Sequence, residues 1–337
     1  MSIENRLAAK ERAKKARRNA VLKKVGPILV IAVAALLIFG IYFLHKDLTE
    51  INYSKGLTKD GKIKGYNAKS CLSDFPDLNS IDIKAEEVSA EAVGEEIEKQ
   101  MKALIEAKKS ADADADGKDA DGKDADDKEE EKKDEEPVDY DALLTDAWVE
   151  EYASTYLGTY YDHTADGFRK AIENNLKGAA RDKAESEIAQ YLAEKVTVKT
   201  YPWKFTRNLR KLIPDAEERQ NRAYYDAIGY SFDFDEYVTT RYGSYSKYRK
   251  QVKENANEQA KNVLIWLAVG DELGVTATEA DVKAWKLVDL GDNATDEAKD
   301  RYWKSEVEQY GVPYLMLDYR IDMAHKALYD KLLGTFE

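Results

Sequence analysis

The chain has a single cysteine, Cys71, among 337 residues. That excludes an intramolecular disulfide framework, so any folded part rests on its buried core alone. Prolines number only six, which leaves room for long uninterrupted helices, and no stretch alternates apolar and polar residues in the manner of paired strands. The three histidines, His45, His163 and His325, are scattered without the spacing of zinc ligands. There is no glycine-rich phosphate loop and no Ser, Cys or Asp triad context, so nucleotide chemistry and covalent catalysis are not indicated. No enzymatic activity, no cofactor and no metal are expected. The net charge is −13 and the one evident basic cluster is the N-terminal tail, a balance that argues against a nucleic-acid partner.

What the sequence does have is an unbroken apolar run, Val25 to Leu44, with no charged residue. At about 1.5 Å of rise per residue it matches a hydrocarbon core of roughly 30 Å. Ahead of it, nine Lys and Arg residues against Glu4 and Glu11 give the tail net charge +7, leaving −20 for the rest. Positive charge stays on the cytoplasmic side, so the N-terminus is expected inside and the acidic bulk outside. A cleavable signal peptide has a shorter apolar region and a small-x-small site, whereas this run ends in Ile41-Tyr42-Phe43-Leu44. Cys71 lies too far from the membrane exit to be a lipoprotein cysteine.

The expected organisation is a basic cytoplasmic tail (1–24), a transmembrane anchor (25–44), a juxtamembrane segment with a connector helix (45–109), a disordered acidic linker (110–137) and a helical domain (138–337). Val93, Ile97, Met101, Leu104 and Ile105 predict an amphipathic helix over Ala85 to Lys109. From Ser110 to Pro137 no large apolar residue occurs, and such a tract cannot offset its ordering entropy. Within it, Asp112 to Gly117 imitates the start of a calcium loop, but Lys123 stands where the bidentate Glu is required. Further on, Thr164 caps a helix carrying Phe168, Ile172, Leu176, Ile188 and Leu192. Pro202 sits at a new helix start, and Pro214 is expected to break or kink that helix. Gly243 punctuates a short element opened by Phe234, and an apolar face from Tyr248 to Ala268 ends at Gly270 or Gly274. A last helix runs from about Pro313 to Leu333. The fold class is all-α, with antiparallel helical hairpins behind the membrane helix.

The order of these pieces, from about Leu143 to Phe336, resembles the C-terminal, peptide-binding domain of trigger factor, whose helical architecture is shared with SurA. The cues are the long helix leading through Val196-Thr197-Val198-Lys199-Thr200-Tyr201-Pro202, then Phe234-Asp235-Glu236-Tyr237, Tyr248-Arg249-Lys250-Gln251-Val252, Val269 to Thr276, Glu279-Ala280-Asp281-Val282 and Tyr310-Gly311. The Ala85 to Lys109 helix resembles the family's connector helix. Gly167-Phe168-Arg169-Lys170 repeats the family's ribosome-docking tetrapeptide, but without the Gly and Pro that follow it, and Phe168 belongs to the apolar stripe; we read it as coincidence. The acidic linker stands where a prolyl isomerase domain would be inserted and has no core residues to build one.

The resemblance implies an ATP-independent holdase that binds unfolded or newly translocated polypeptides; the apolar run, a departure from the family, places it in a bacterial cell membrane by one helix, with the secretion channel as a candidate neighbour. A scaffold for one envelope or secretion partner fits the same layout, and a prolyl isomerase foldase fits it less well. Candidate client-facing residues are Tyr152, Tyr156 and Tyr160, spaced every four residues on one predicted helical face; Tyr224, Tyr225, Tyr230, Phe232 and Phe234; and Tyr310, Tyr314 and Tyr319. Tyrosine offers large contact area at small entropic cost with a tip that tolerates water. For any one of these rings, packing helix against helix is the plainer reading; the set points to clients.

Overall fold

A computed structural model describes residues 51–116, 139–291 and 293–335. The basic tail, the anchor over 25–44 and nearly all of the acidic linker lie outside the described residues. The described chain is mostly helical, with irregular backbone over most of 51–89 and two strands of two residues each, and it forms two compact units. The first comprises 51–55 and 207–253, the second 56–206 and 254–335.

In the second unit, α1 (Ala90–Asp116) starts behind Ser89, whose hydroxyl accepts from the Ala92 amide at 3.1 Å. The helix continues beyond Lys109, where the sequence pattern placed the linker; Ala residues alternating with Asp at this end let an established helix propagate. Its apolar stripe is satisfied: Ile97 and Met101 are buried among Leu144, Trp148, Val149, Phe168 and Ile172. Helix α1 therefore packs against the segment around Trp148 and the start of the helix that carries Phe168. A short α2 (Tyr140–Leu143) leads into α3 (Asp146–Trp148), a π-helical turn (Val149–Ala153) and α4 (Ser154–Leu157).

The Thr164 hydroxyl caps α5 (Ala165–Lys195), accepting from the Gly167 amide at 3.0 Å. Gly167 admits no side chain, since a β-carbon there would collide with the Asp162 carbonyl. Beyond α5, β2 (Thr197–Val198) pairs antiparallel with β1 (Leu72–Ser73). This valine-rich turn is a strand partner that no alternation could announce, because two residues are too few to show a period.

Helix α6 (Trp203–Ala227) continues through Pro214, so the expected break does not occur there. Proline there removes one helical hydrogen bond, and the buried Leu209 and Leu212 on its N-terminal side hold the line. Then follow α7 (Phe234–Tyr242), α8 (Tyr245–Glu272), α9 (Glu279–Leu287), α10 (Asp296–Tyr310) and α11 (Val312–Leu333). Gly270 lies inside α8 rather than at its end, and a β-carbon there would sit 3.3 Å from Ala324 Cβ of α11. Thr278 and Asp281 form a reciprocal capping box on α9.

The turn around Gly61 is bound into the second unit. Buried Arg320 of α11 donates to the Asp60 carbonyl at 2.7 Å and to the Val275 carbonyl at 3.0 Å. Gly61 has φ +76°, and a β-carbon there would collide with the backbone of Met316 and Leu317. Cys71 is buried as a free thiol, and desolvation pushes its pKa up.

Candidate functional site

The three tyrosine groups meet different fates. In the first, the face expected of Tyr152, Tyr156 and Tyr160 does not exist. The π-turn shifts the register, and the helix ends at Leu157 before Gly158 at φ +56°. Tyr152 stacks on Trp148 with centroids 5.3 Å apart, Tyr156 tilts onto Phe168 at 5.7 Å, and Tyr160 stands beyond the helix, 92% exposed. In the third group, Tyr310 stacks on Tyr314 at 5.7 Å and Tyr319 meets Trp285 edge-on at 5.8 Å. Tyr310 and Tyr319 also pack against the buried cluster of Val282, Leu315 and Met316.

Four of the second group, Tyr224, Tyr225, Phe232 and Phe234, join one run of ring contacts within the first unit, and Tyr230 stands exposed near them in the chain. Helix α6 ends in a glycine cap at Gly229, φ +77°, with the Tyr230 amide donating back to the Tyr225 carbonyl at 2.9 Å. This closure leaves Tyr224, Ile228 and Tyr230 strongly exposed, at 62%, 48% and 67%. Asp233 restarts the chain as α7 by accepting from the amides of Asp235 and Glu236. Ring contacts then run from Tyr224 to Tyr225, Phe232, Phe234, Tyr237, Tyr242 and Tyr248.

One carboxylate organises the cluster. Glu217 of α6 accepts the hydroxyls of Tyr237 (2.8 Å) and Tyr242 (2.7 Å) on Oε1 and of Tyr248 (2.9 Å) on Oε2. It thereby ties α6, α7 and α8 together. Arg241 lies over the rings of Tyr237 and Tyr242, at 5.8 and 5.9 Å. The sequence pattern placed Tyr248 on an apolar helix face and Tyr237 in a short element after Phe234, and gave Glu217 no role. These partners lie 20 to 31 residues away from it, so no local pattern joins them.

Burial, reinforced by the Glu217 charge, pushes Tyr237 from 10.0 up to about 12 and raises Tyr242 and Tyr248 as well. All three stay protonated donors at neutral pH. Because their folded pKa exceeds the ordinary value, the stability they contribute is complete below about pH 10 and is lost as pH rises through about 12. In an alkaline titration, phenolate absorbance should show a late class of tyrosines whose ionisation coincides with helix loss. Uniform ionisation of all 22 tyrosines near pH 10, with helix intact, would contradict this arrangement.

Beside the cluster opens a cavity of about 290 Å³ lined by Tyr225, Phe232, Tyr237 and Arg241, with Asp233 and Glu236 among its other walls. That lies at the lower edge of the roughly 300–1,000 Å³ of small-molecule sites, and it suits one side chain of a longer ligand. Among the described residues, no group of His, Cys, Asp or Glu is placed to hold a metal ion. His163 contacts Glu150 and the Gly158 carbonyl, and His325 lies against Trp266; His45 is outside the described residues.

A family model for the bacterial trigger factor protein (TF) C-terminus matches residues 164–286. The match begins at the Thr164 cap and covers α5, α6, α7, α8 and most of α9, so the aromatic hairpin lies wholly inside it. No curated protein and no solved structure gives a significant match. Residues 164–286 are thus similar to the trigger factor C-terminus.

Proposed function

We propose that this chain is a membrane-anchored, ATP-independent holdase that binds unfolded or newly translocated polypeptides on the outer face of a bacterial cell membrane. The observation that carries the reading is the family match over 164–286, within which Tyr224, Ile228 and Tyr230 stand exposed beside an aromatic-walled cavity. Exposed apolar side chains of a client would exchange water for these rings, and no bond chemistry is required. Ordering a flexible client is costly, so affinity stays modest and release needs no nucleotide.

Anchoring rests on the charge-free run 25–44 and its basic flank. None of the described helices is long and apolar enough to cross a membrane. Tethering raises the effective concentration of the binding surface near emerging chains. We assign no isomerase activity.

The test is the full chain in lipid nanodiscs, titrated into a chemically unfolded, aggregating protein while light scattering is followed, with prolyl isomerisation assayed in parallel. Suppression near stoichiometric ratios without isomerase activity is expected. Absence of suppression would overturn the holdase reading in favour of a scaffold for one folded partner.

A further inference from the structure

A second basic cluster escaped the reading of the sequence. From Lys195 to Pro214 the chain has no Asp or Glu and six cations: Lys195, Lys199, Lys204, Arg207, Arg210 and Lys211. In a chain whose part beyond the tail sums to −20, this is a local inversion of charge. The cations are interleaved with Phe205, Leu209 and Leu212, which are buried, so helical geometry separates the two sets. At 3.6 residues per turn, Trp203, Lys204, Arg207, Arg210 and Lys211 fall on one arc of about 120°. Lys199, Lys204, Arg207 and Arg210 are exposed, and none forms an ion pair among the described residues. One large ring shares the stripe: Trp203 is 56% exposed. Lys204 Nζ lies 5.8 Å from the Trp203 ring centre.

The position of this stripe along the chain matters. Gly56 lies against the backbone of Lys204 and Phe205, so that a β-carbon there would be 3.1 Å from Phe205. The eleven residues between Leu44 and Gly56 span at most about 40 Å. If the anchor ends at Leu44, the start of α6 is held within that reach of the bilayer.

We propose that the stripe on α6 formed by Trp203, Lys204, Arg207 and Arg210 docks on the anionic phospholipid surface of the membrane that holds the anchor. Cations without an acidic partner meet lipid phosphates, and an exposed Trp ring suits the headgroup layer, where one end is apolar and the other wet. The stripe selects which face of α6 meets the membrane. The inference deepens the anchored reading above and rests on it: the start of α6 lies on the membrane that the anchor spans.

The experiment places the full chain in nanodiscs that are either zwitterionic or partly anionic, with lipids brominated near the headgroup as tryptophan quenchers. Quenching is expected in anionic discs, is lost in Trp203→Phe, and falls at high salt. Each cation replaced among Lys204→Gln, Arg207→Gln and Arg210→Gln should lower the docked-to-free ratio about fivefold. Equal quenching in Trp203→Phe, or no difference between the two lipids, would overturn the proposal. So would a higher affinity of the stripe for RNA than for anionic lipid. Flotation with zwitterionic vesicles separates the two claims. A chain that floats without Trp203 quenching keeps its anchor and loses the docking surface. A chain that does not float loses the anchor, and docking is then read by adding anionic vesicles in trans.

Discussion

Replacing Phe168 by alanine lowers the unfolding free energy of the unit that contains it by about 4 kcal/mol. The ring is completely buried where α1, the α3–α4 stretch and α5 converge, with Trp148 edge-on at 5.7 Å and Tyr156 at the same distance. Removing it takes away apolar contact and leaves a cavity whose walls belong to three separate segments, so collapse is incomplete. Phe168→Leu, which keeps most of the volume, should cost about 1.5 kcal/mol or less. Denaturant unfolding followed by hydrogen exchange in α1 measures both. The result also bears on Gly167-Phe168-Arg169-Lys170. A negligible stability change accompanied by lost binding would mean that the tetrapeptide is a recognition element, contrary to its burial.

Glu217→Ala has the second large effect, on the first unit. It leaves the hydroxyls of Tyr237, Tyr242 and Tyr248 without their shared acceptor. A hydrogen bond to a charged group contributes about 1.5–3 kcal/mol, and an unsatisfied buried hydroxyl adds a desolvation cost. The three bonds act as one unit and do not add, so we expect a loss of about 3 kcal/mol. Glu217→Gln retains one acceptor oxygen and should lose about half as much. In the alanine variant the late-ionising tyrosines should titrate nearer the ordinary value, which a merely packing role for Glu217 would not produce. A change below about 0.5 kcal/mol, typical of a surface site, would contradict the role given to this carboxylate.

The parts of the fold that sequence made legible are those whose apolar residues recur on one face. Thr164, Phe168, Ile172, Ile188 and Leu192 declared α5, and Ile97 and Met101 declared α1. Helix α10 escaped because its stripe is short and only half-buried: Trp303, Val307 and Tyr310 share one face and pack against Val282, Leu315 and Met316. The uninterrupted passage through Pro214 was hidden because flanking burial, a tertiary effect, overrode a local penalty. For the candidate site, the sequence grouped Tyr224, Tyr225, Phe232 and Phe234 correctly by nearness, since that surface is built from one hairpin. It grouped Tyr152, Tyr156 and Tyr160 wrongly, because a spacing of four means one face only while the helix stays α. Glu217 was illegible: its meaning lies in partners brought together by folding. The basic stripe was missed because its cations alternate with core residues and become a surface only once the helix is drawn.

The central claim is that the hairpin closing at Gly229 is where unfolded polypeptide is held. The most direct measurement introduces a photo-crosslinking side chain at Ile228 and at Tyr230, with Val288, 74% exposed in the other unit, as the comparison. Each variant is irradiated with one client in its unfolded and its native state. The account predicts adducts at Ile228 and Tyr230 with the unfolded client, far weaker ones with the native client, and little at Val288. Equal labelling at all three positions, or none at the hairpin, would contradict it.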